Sequence, residues 1–292
     1  MIQNNNLSVL PFYSSLNEQN HRLSYAYGDV YPLFCPVGDI LPFQFMTEHL
    51  ATNNISSVLL KNIKGQTVAD ITTYIINAGL RKTAFASDGY DIFMYPDITP
   101  LGISMYEGQY YLQVTVSAGT FYSEVFTVVA DISPYLKIEW RMFDDLIGYG
   151  WRIQYSTGQY QFRNVLYLMT ELGKPDYEFE EEGETRDGFF FPEKMISEKR
   201  YKFQFLAPEY LCDVMRFIRM ADKIRITDKY GREYNCDTFL MTPKWQTQGN
   251  IASVEAEFDT DTVAKTIGRA LPPDGGLGDF NNDFNNDFYN NN

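Results

Sequence analysis

The sequence predicts a mainly β or α+β protein, with an N-terminal β-sandwich of immunoglobulin-like proportions followed by an antiparallel sheet with one packed helix. Two observations predict the strands: apolar and polar side chains alternate with a period of two between residues 110 and 129, and again between 251 and 258. A third predicts the helix, because apolar residues repeat at helical spacing at Leu211, Val214, Met215 and Ile218.

The N-terminal half is interpreted as an arm followed by the sandwich. Residues 1–28 are rich in Asn and other polar side chains and are predicted to form an arm. Residues 29–131 are assigned to the sandwich, with short strands predicted at 41–46, 57–63 and 90–95, while 68–78 fits either a strand or a short helix. Alternation on both sides of a turn at 117–120 predicts a hairpin over 110–129.

Pro134 interrupts the strand pattern, so a domain boundary is predicted at 131–135. Residues 135–268 are assigned to the α+β domain, with strands predicted at 135–140, 164–171, 199–206, 223–228, 234–241 and 251–258. Pro208 and Glu209 suit the first turn of the helix, and the turn at 229–232 closes a hairpin.

Residues 269–292 form an Asn- and Phe-rich C-terminal tail, in which Asp-Phe-Asn-Asn repeats. Two interpretations stay open. The composition is typical of a disordered, solubilising tail. Alternatively the tail is an assembly anchor whose aromatic side chains enter apolar recesses on a neighbouring subunit; the candidate residues are Phe280, Phe284, Phe288 and Tyr289.

Composition bounds the class of protein. The chain has 292 residues, 45% hydrophobic and 16% aromatic, which excludes a disordered protein and leaves room for about two domains. A net charge of −14 argues against nucleic acid as the main ligand, since an acidic surface repels phosphates. Three widely spaced cysteines and no secretory signal pattern predict reduced thiols in a cytoplasmic setting, and no apolar run is long enough for a membrane helix.

Residues that carry chemistry are sparse. His21 and His49 have no metal-ligand partner at suitable spacing apart from Glu48, so no metal site and no cofactor are predicted. Nucleophile, phosphate-loop and dinucleotide motifs are missing from the sequence. The acidic run 176–187 is interpreted as a solvated loop, with a docking surface for a basic neighbour or a pair of glycosidase carboxylates as the alternatives. No catalytic residue is predicted, and the chain is expected not to be an enzyme.

Four segments of the second half resemble a virion structural protein of crAss-like tailed bacteriophages: LGKPDYEFEEEGE at 172–184, FPEK at 191–194, FLAPEYL at 205–211 and VEAEFDTD at 254–261. The resemblance covers residues 135–268. It implies a tail-assembly subunit: one copy of a homo-oligomeric ring in the portal-proximal tail, joined to neighbouring rings through extended arms. It further implies contacts with other tail, portal or collar proteins, a location in the virion after assembly in the host cytoplasm, and DNA that passes through a lumen without specific binding.

The main alternative is a carbohydrate- or receptor-binding β-sandwich module of a fibre or of a glycan-utilisation system. Exposed aromatic rings stack on sugars, and Trp140, Trp151 and Trp245 are the candidate platforms. Such modules are normally exported, and the missing secretory signal argues against this alternative.

Overall fold

Strands account for most of the chain in the computed structural model, which describes residues 2–3, 8–14, 32–49, 55–83, 89–95, 102–142, 145–146, 151–155, 162–245 and 251–266. Among these residues, one α-helix and two short 3-10 turns are the helical elements. No described helix has the length and apolar character needed to cross a membrane. The predicted mainly β or α+β fold is confirmed.

The strands fall on both sides of Pro134. Those before it are β1 (Ile2–Gln3), β2 (Phe12–Tyr13), β3 (Leu33–Pro36), β4 (Phe43–Glu48), β5 (Ile55–Asn62), β6 (Thr67–Asp70), β7 (Ile76–Thr83), β8 (Tyr90–Tyr95), β9 (Gly108–Val116), β10 (Gly119–Ser123) and β11 (Phe126–Val129). Those after it are β12 (Leu136–Met142), β13 (Asp145–Leu146), β14 (Trp151–Tyr155), β15 (Phe162–Leu168), β16 (Asp176–Arg186), β17 (Phe189–Pro208), β18 (Lys223–Thr227), β19 (Glu233–Lys244) and β20 (Ile251–Thr266). Helix α1 (Glu209–Met215) and the 3-10 turn Ile218–Met220 lie between β17 and β18.

One seven-stranded sheet, the outer sheet, is centred on β9. Strand β5 pairs with one side of β9 and carries β6 beyond it, while β10 and β11 pair with the other side and carry β2 and β3. Strands β3 and β11 run parallel, and the other pairs are antiparallel. The hairpin predicted over 110–129 is confirmed, although residues 124–125 divide its second strand into β10 and β11. The ambiguous stretch 68–78 contains both elements, because the 3-10 turn Thr72–Tyr74 separates β6 from β7.

A six-stranded antiparallel sheet, the middle sheet, has the order β1-β4-β8-β7-β14-β13. Its first face packs on the outer sheet: the ring of Phe12 in β2 lies 5.5 Å from that of Phe43 and 5.3 Å from that of Phe45 in β4, centroid to centroid. Edge-to-face contacts of this kind are favourable for aromatic pairs. The two sheets therefore form a sandwich with an aromatic core.

The second face of the middle sheet is also covered. Met46, Ile92 and Met94 point away from the outer sheet and cluster with Phe162 of β15 and Phe217, which follows α1. A strand covered on both faces loses the alternation of buried and exposed positions. This explains why residues 43–47 of β4 are all buried.

Strand pairing crosses the boundary predicted at 131–135. After β12 the chain returns to the first half, where β14 pairs with β7 and β13 pairs with β14. One continuous core cluster also includes residues from both halves, such as Leu33, Leu112, Trp140 and Phe258. A period-two pattern identifies a strand but not its partner, so the sequence could not show this return.

The third sheet, the C-terminal sheet, is antiparallel and has the order β15-β12-β18-β19-β20-β17-β16. Helix α1 packs on it through Leu211, Val214, Met215 and Ile218, which are 0–3% exposed. The predicted apolar face of the helix is therefore confirmed. The α-helix ends at Met215, and Ile218 lies in the following 3-10 turn.

Part of the predicted N-terminal arm belongs to the core. Val9 and Leu10 have no exposed surface, Phe12 is 3% exposed, and the Val9 amide donates to the Asn164 side chain at 3.3 Å. The expectation of an arm is therefore wrong for residues 8–12, whose apolar side chains belong to the core, and for Ile2–Gln3, which pair with β4 in the middle sheet. Residues 4–7 and 15–28 of the arm lie outside the described part of the chain.

Candidate functional site

A three-stranded extension of the C-terminal sheet is the main candidate site. It consists of residues 176–186, 189–199 and 261–266, which we call the ribbon. The acidic run is solvated as predicted, because most of its side chains are exposed, but it is not a loop, because Asp176–Arg186 pairs along its whole length with β17. The two-residue turn has φ of 50° at Asp187 and 86° at Gly188, as a tight hairpin connection requires.

One face of the ribbon exposes large apolar side chains to solvent, and we call it the apolar face. Phe179 lies opposite Ser197, which lies opposite Val263, so these residues share a face with Tyr177 and the half-buried Met195. Phe179 is 77% exposed, Tyr177 65% and Val263 63%. Antiparallel sheets normally bury one of their two faces. Glu181, Lys199 and Lys265 lie on the same face, so its large apolar side chains stand among charged ones, and the described part of the chain leaves them exposed.

The opposite face of the ribbon is acidic. Glu178, Glu180 and Glu182 occupy alternate positions of β16, and Glu198 lies opposite Glu178. Glu182 pairs with Lys194 at 3.6 Å. Within the described residues, Glu180 has no ion-pair partner, because the residue opposite it is Ile196.

A polar cluster fixes the root of the ribbon to the sheet. The Arg200 guanidinium donates to Asp259 at 2.8 Å and to Glu178 at 2.8 Å, and the Thr238 hydroxyl donates to Asp259 at 2.6 Å. Burial alone would raise the pKa of Asp259, but the hydrogen bonds from Arg200 and Thr238 outweigh it and hold that pKa below its ordinary value. Tyr201, the residue after Arg200, is buried against Tyr234, and their ring centroids lie 4.9 Å apart. The ribbon therefore begins at a rigid junction.

A second charged surface lies near the other edge of the same sheet, on β15, β12 and β18. We call it the basic face, and its members are Lys137, Arg141, Arg163, Lys223 and Arg225. Strand register places Arg141 between Arg163 and Lys223, and Glu139 opposite Arg225. Three of these cations, Lys137, Arg141 and Arg163, pair with the buried carboxylate of Glu139, in a chain of net charge −14.

Glu139 holds the basic face together. Its carboxylate lies 2.9 Å from Arg163, 3.3 Å from Lys137 and 3.4 Å from Arg141. Burial raises the pKa of this carboxyl, but the charges of Arg163, Lys137 and Arg141 outweigh it, so the pKa lies below its ordinary value. Arg225 is 47% exposed at the side chain and pairs with Glu233 at 3.5 Å.

The assembly residues predicted from sequence, Phe280, Phe284, Phe288 and Tyr289, lie outside the described part of the chain, as does His21. His49 lies 3.0 Å from Asp91 at an exposed position. The described residues contain no group of three His, Cys, Asp or Glu that could hold a metal. No cofactor site is assigned.

The three tryptophans do not form a common platform for sugars. Trp140 is 1% exposed and belongs to the core, so its proposed role as a stacking surface is wrong. Trp245 is 46% exposed at the end of β19. The side chain of Trp151 is outside the described part of the structure.

The sequence contains a signal for each of these two surfaces. Asp187-Gly188 is the turn dipeptide typical of a two-residue hairpin, and it separates the acidic run from the apolar Phe189. The alternation of Lys137, Glu139 and Arg141 likewise marks a polar strand face. The sequence could not show that this strand lies beside two others with cations at matching positions.

No family model matches the chain, and no curated protein matches its sequence. The ribbon, the basic face and the fold that positions them are the features that indicate a function.

Proposed function

We propose that the chain is a non-enzymatic structural subunit of a tailed-bacteriophage virion, one copy of a ring in the portal-proximal tail assembly. Neighbouring rings are joined through extended segments of the chain, the ribbon and the C-terminal tail. Other tail, portal or collar proteins are the further partners. This proposal extends the implication of the resemblance at 172–184 and the segments that follow it.

The observation that carries the proposal is the open apolar face of the ribbon. Tyr177, Phe179 and Val263 are each more than 60% exposed on this one face, and large apolar side chains that are exposed together mark an interaction site. The exposed ring of Phe190, opposite Thr185, extends this surface toward the tip. A second subunit that covers the face supplies the burial that an antiparallel sheet needs.

The charge of the chain suits a position around DNA. A net charge of −14 repels a polyanion, so DNA passes a ring of such subunits without adhering. The acidic strand β16 is also an edge strand, and charged edges resist uncontrolled pairing with other sheets. Association is therefore directed to the faces of the ribbon rather than to its free edge.

The test is the mass of the full-length protein in solution, measured by sedimentation equilibrium over a concentration series, with negative-stain electron microscopy of the same samples. We expect a closed ring of fixed copy number that forms as concentration rises. A glycan array and a panel of chromogenic glycosides, esters and peptides accompany it, and we expect neither binding nor turnover.

Two outcomes would overturn the proposal. A protein that stays monomeric, or forms a fibre-like trimer, and binds sugars would be a carbohydrate-binding module, with Trp245 as the residue to replace. Turnover that disappears in Glu181→Gln or Glu182→Gln would make the acidic strand a catalytic site instead.

A further inference from the structure

We propose that the acidic face of the ribbon binds the basic face of a second copy of this chain, in a head-to-tail contact that repeats from subunit to subunit. This inference rests on the proposed ring function and identifies its lateral contact. The apolar face of the ribbon stays available for a different neighbour, because it lies on the other side of the same strands.

The acidic face has the geometry of a docking surface. Glu178, Glu180 and Glu182 point to one side of β16 at every second residue, about 6.6 Å apart along the strand. All three are exposed. Arg200 holds Glu178 at 2.8 Å, so the root of this row is fixed while Glu180 and Glu182 extend away from it.

The basic face provides the complementary charge. Arg141 and Arg225, with side chains 37% and 47% exposed, lie on β12 and β18, which are adjacent strands. The buried Glu139 pairs with Lys137, Arg141 and Arg163, and Glu233 pairs with Arg225, so two carboxylates offset part of the charge of the five cations. Planar guanidinium groups bind carboxylates through paired hydrogen bonds, which suits them to a row of glutamates.

A single subunit cannot bring its own two faces together. Five strand steps separate β12 from β16 in the C-terminal sheet, which at about 4.8 Å per step is roughly 24 Å. Adjacent strands are also rotated by about 20–25°. The surface direction therefore turns by roughly 100–125° between β12 and β16.

This placement fits a closed ring of identical subunits. When complementary surfaces lie on different sides of one subunit, each copy binds the next through the same contact, and the chain of contacts closes if the rotation per copy allows it. Nucleic acid is the competing occupant for the basic face. The net charge of −14 disfavours it, because the rest of the molecule repels phosphates.

Charge reversal in the full-length protein tests the contact. Glu180→Lys changes a ribbon carboxylate that has no ion-pair partner within the described residues, and Arg225→Glu changes the basic face. Each variant alone is expected to lower the association constant at least about tenfold, since like charges then meet in the contact. The control Lys64→Glu reverses an exposed charge in the turn between β5 and β6 and is expected to leave association unchanged.

Mixing the two variants provides the sharpest readout. In an equimolar mixture, the charge-reversed ribbon of the Glu180→Lys protein meets the charge-reversed basic face of the Arg225→Glu protein, and the unchanged ribbon meets the unchanged basic face. We therefore expect the mixture to regain assembly by alternation. A thermal melt of every variant shows whether its fold is intact. If Arg225→Glu disturbs the fold, Arg225→Gln, which removes the charge without reversing it, takes its place. Association of the native protein is expected to weaken between about 50 and 500 mM salt.

The outcomes separate this inference from the proposed function. If the charge variants assemble like the native protein while Phe179→Ser does not, the lateral contact is wrong and the assembly function stands. If the native protein never assembles, the proposed function itself fails. If the mixture of the two variants does not regain assembly, the contact between copies is refuted. It is also refuted if the basic face binds single-stranded DNA and Arg225→Glu abolishes that binding without any effect on assembly.

Discussion

Replacing Phe179 by serine should weaken assembly and leave the fold of the subunit intact. A phenylalanine side chain contributes about 1.5–3 kcal/mol when it is fully buried. Phe179 is 77% exposed in the free subunit, so complete cover by a neighbour would contribute about 1.2–2.3 kcal/mol. The association constant should therefore fall roughly 8-fold to 50-fold. The free energy of unfolding should change by less than about 0.5 kcal/mol, as for other surface substitutions.

Sedimentation equilibrium on the native protein and on Phe179→Ser gives the two association constants, and urea unfolding of dilute, monomeric samples gives the stabilities. Tyr106→Ser is the matched control, because Tyr106 is 79% exposed but lies outside the ribbon. Equal association of the native protein and Phe179→Ser would show that the apolar face is not an interface. A large loss of stability in Phe179→Ser would show that the ring already packs within the subunit.

Three further predictions concern the helix, the basic face and the tail. Leu211 is fully buried, so Leu211→Ala should lower the free energy of unfolding by about 2–5 kcal/mol, whereas Arg216→Ala on the exposed side should lower it little. Equal losses of unfolding free energy for the two variants in urea titrations would contradict the packing of α1. The pKa of Glu139 is held below its ordinary value of 4.5, so its ion pairs stabilise the fold above that pH and this contribution is lost as pH falls through the lowered value. Glu139→Gln should therefore be less stable at pH 7 and lose less stability on acidification than the native protein, and parallel pH profiles would refute this. A chain ending at Arg269 should keep its thermal melt but fail to join assemblies, whereas normal assembly would mean that the tail only solubilises the protein.

Local patterns predicted the individual strands well. Tyr90–Tyr95 forms a strand with the predicted bounds, and the helix buries the four predicted residues. The turn at 229–232 is also confirmed, because the Asp228 carboxylate accepts hydrogen bonds from the Tyr230 and Arg232 amides at 2.9 and 3.0 Å. Each of these features depends on residues that are close in sequence, so periodicity and turn chemistry were sufficient.

Features that depend on distant residues were missed. The acidic run was interpreted as a loop because its charges were considered without Lys194, Arg200 and Lys202, which β17 brings beside them. The basic face has the same origin, since Arg163 and Arg225 come from strands on either side of β12. Composition records the number of charges in a chain, but strand order decides which of them become neighbours.

The length of β17 has a mechanical consequence. This strand has 20 residues and, at about 3.3 Å per residue, reaches roughly 66 Å from the tip of the ribbon to the start of α1. A load applied to the tip along the strand axis acts on its ladder with β20 in shear, so many backbone hydrogen bonds resist it together instead of opening one after another. A transverse load on the ribbon bends it at Arg200, where the buried part of the strand begins. Such a subunit resists being pulled apart lengthwise while its tip adjusts sideways to the surface on which it docks.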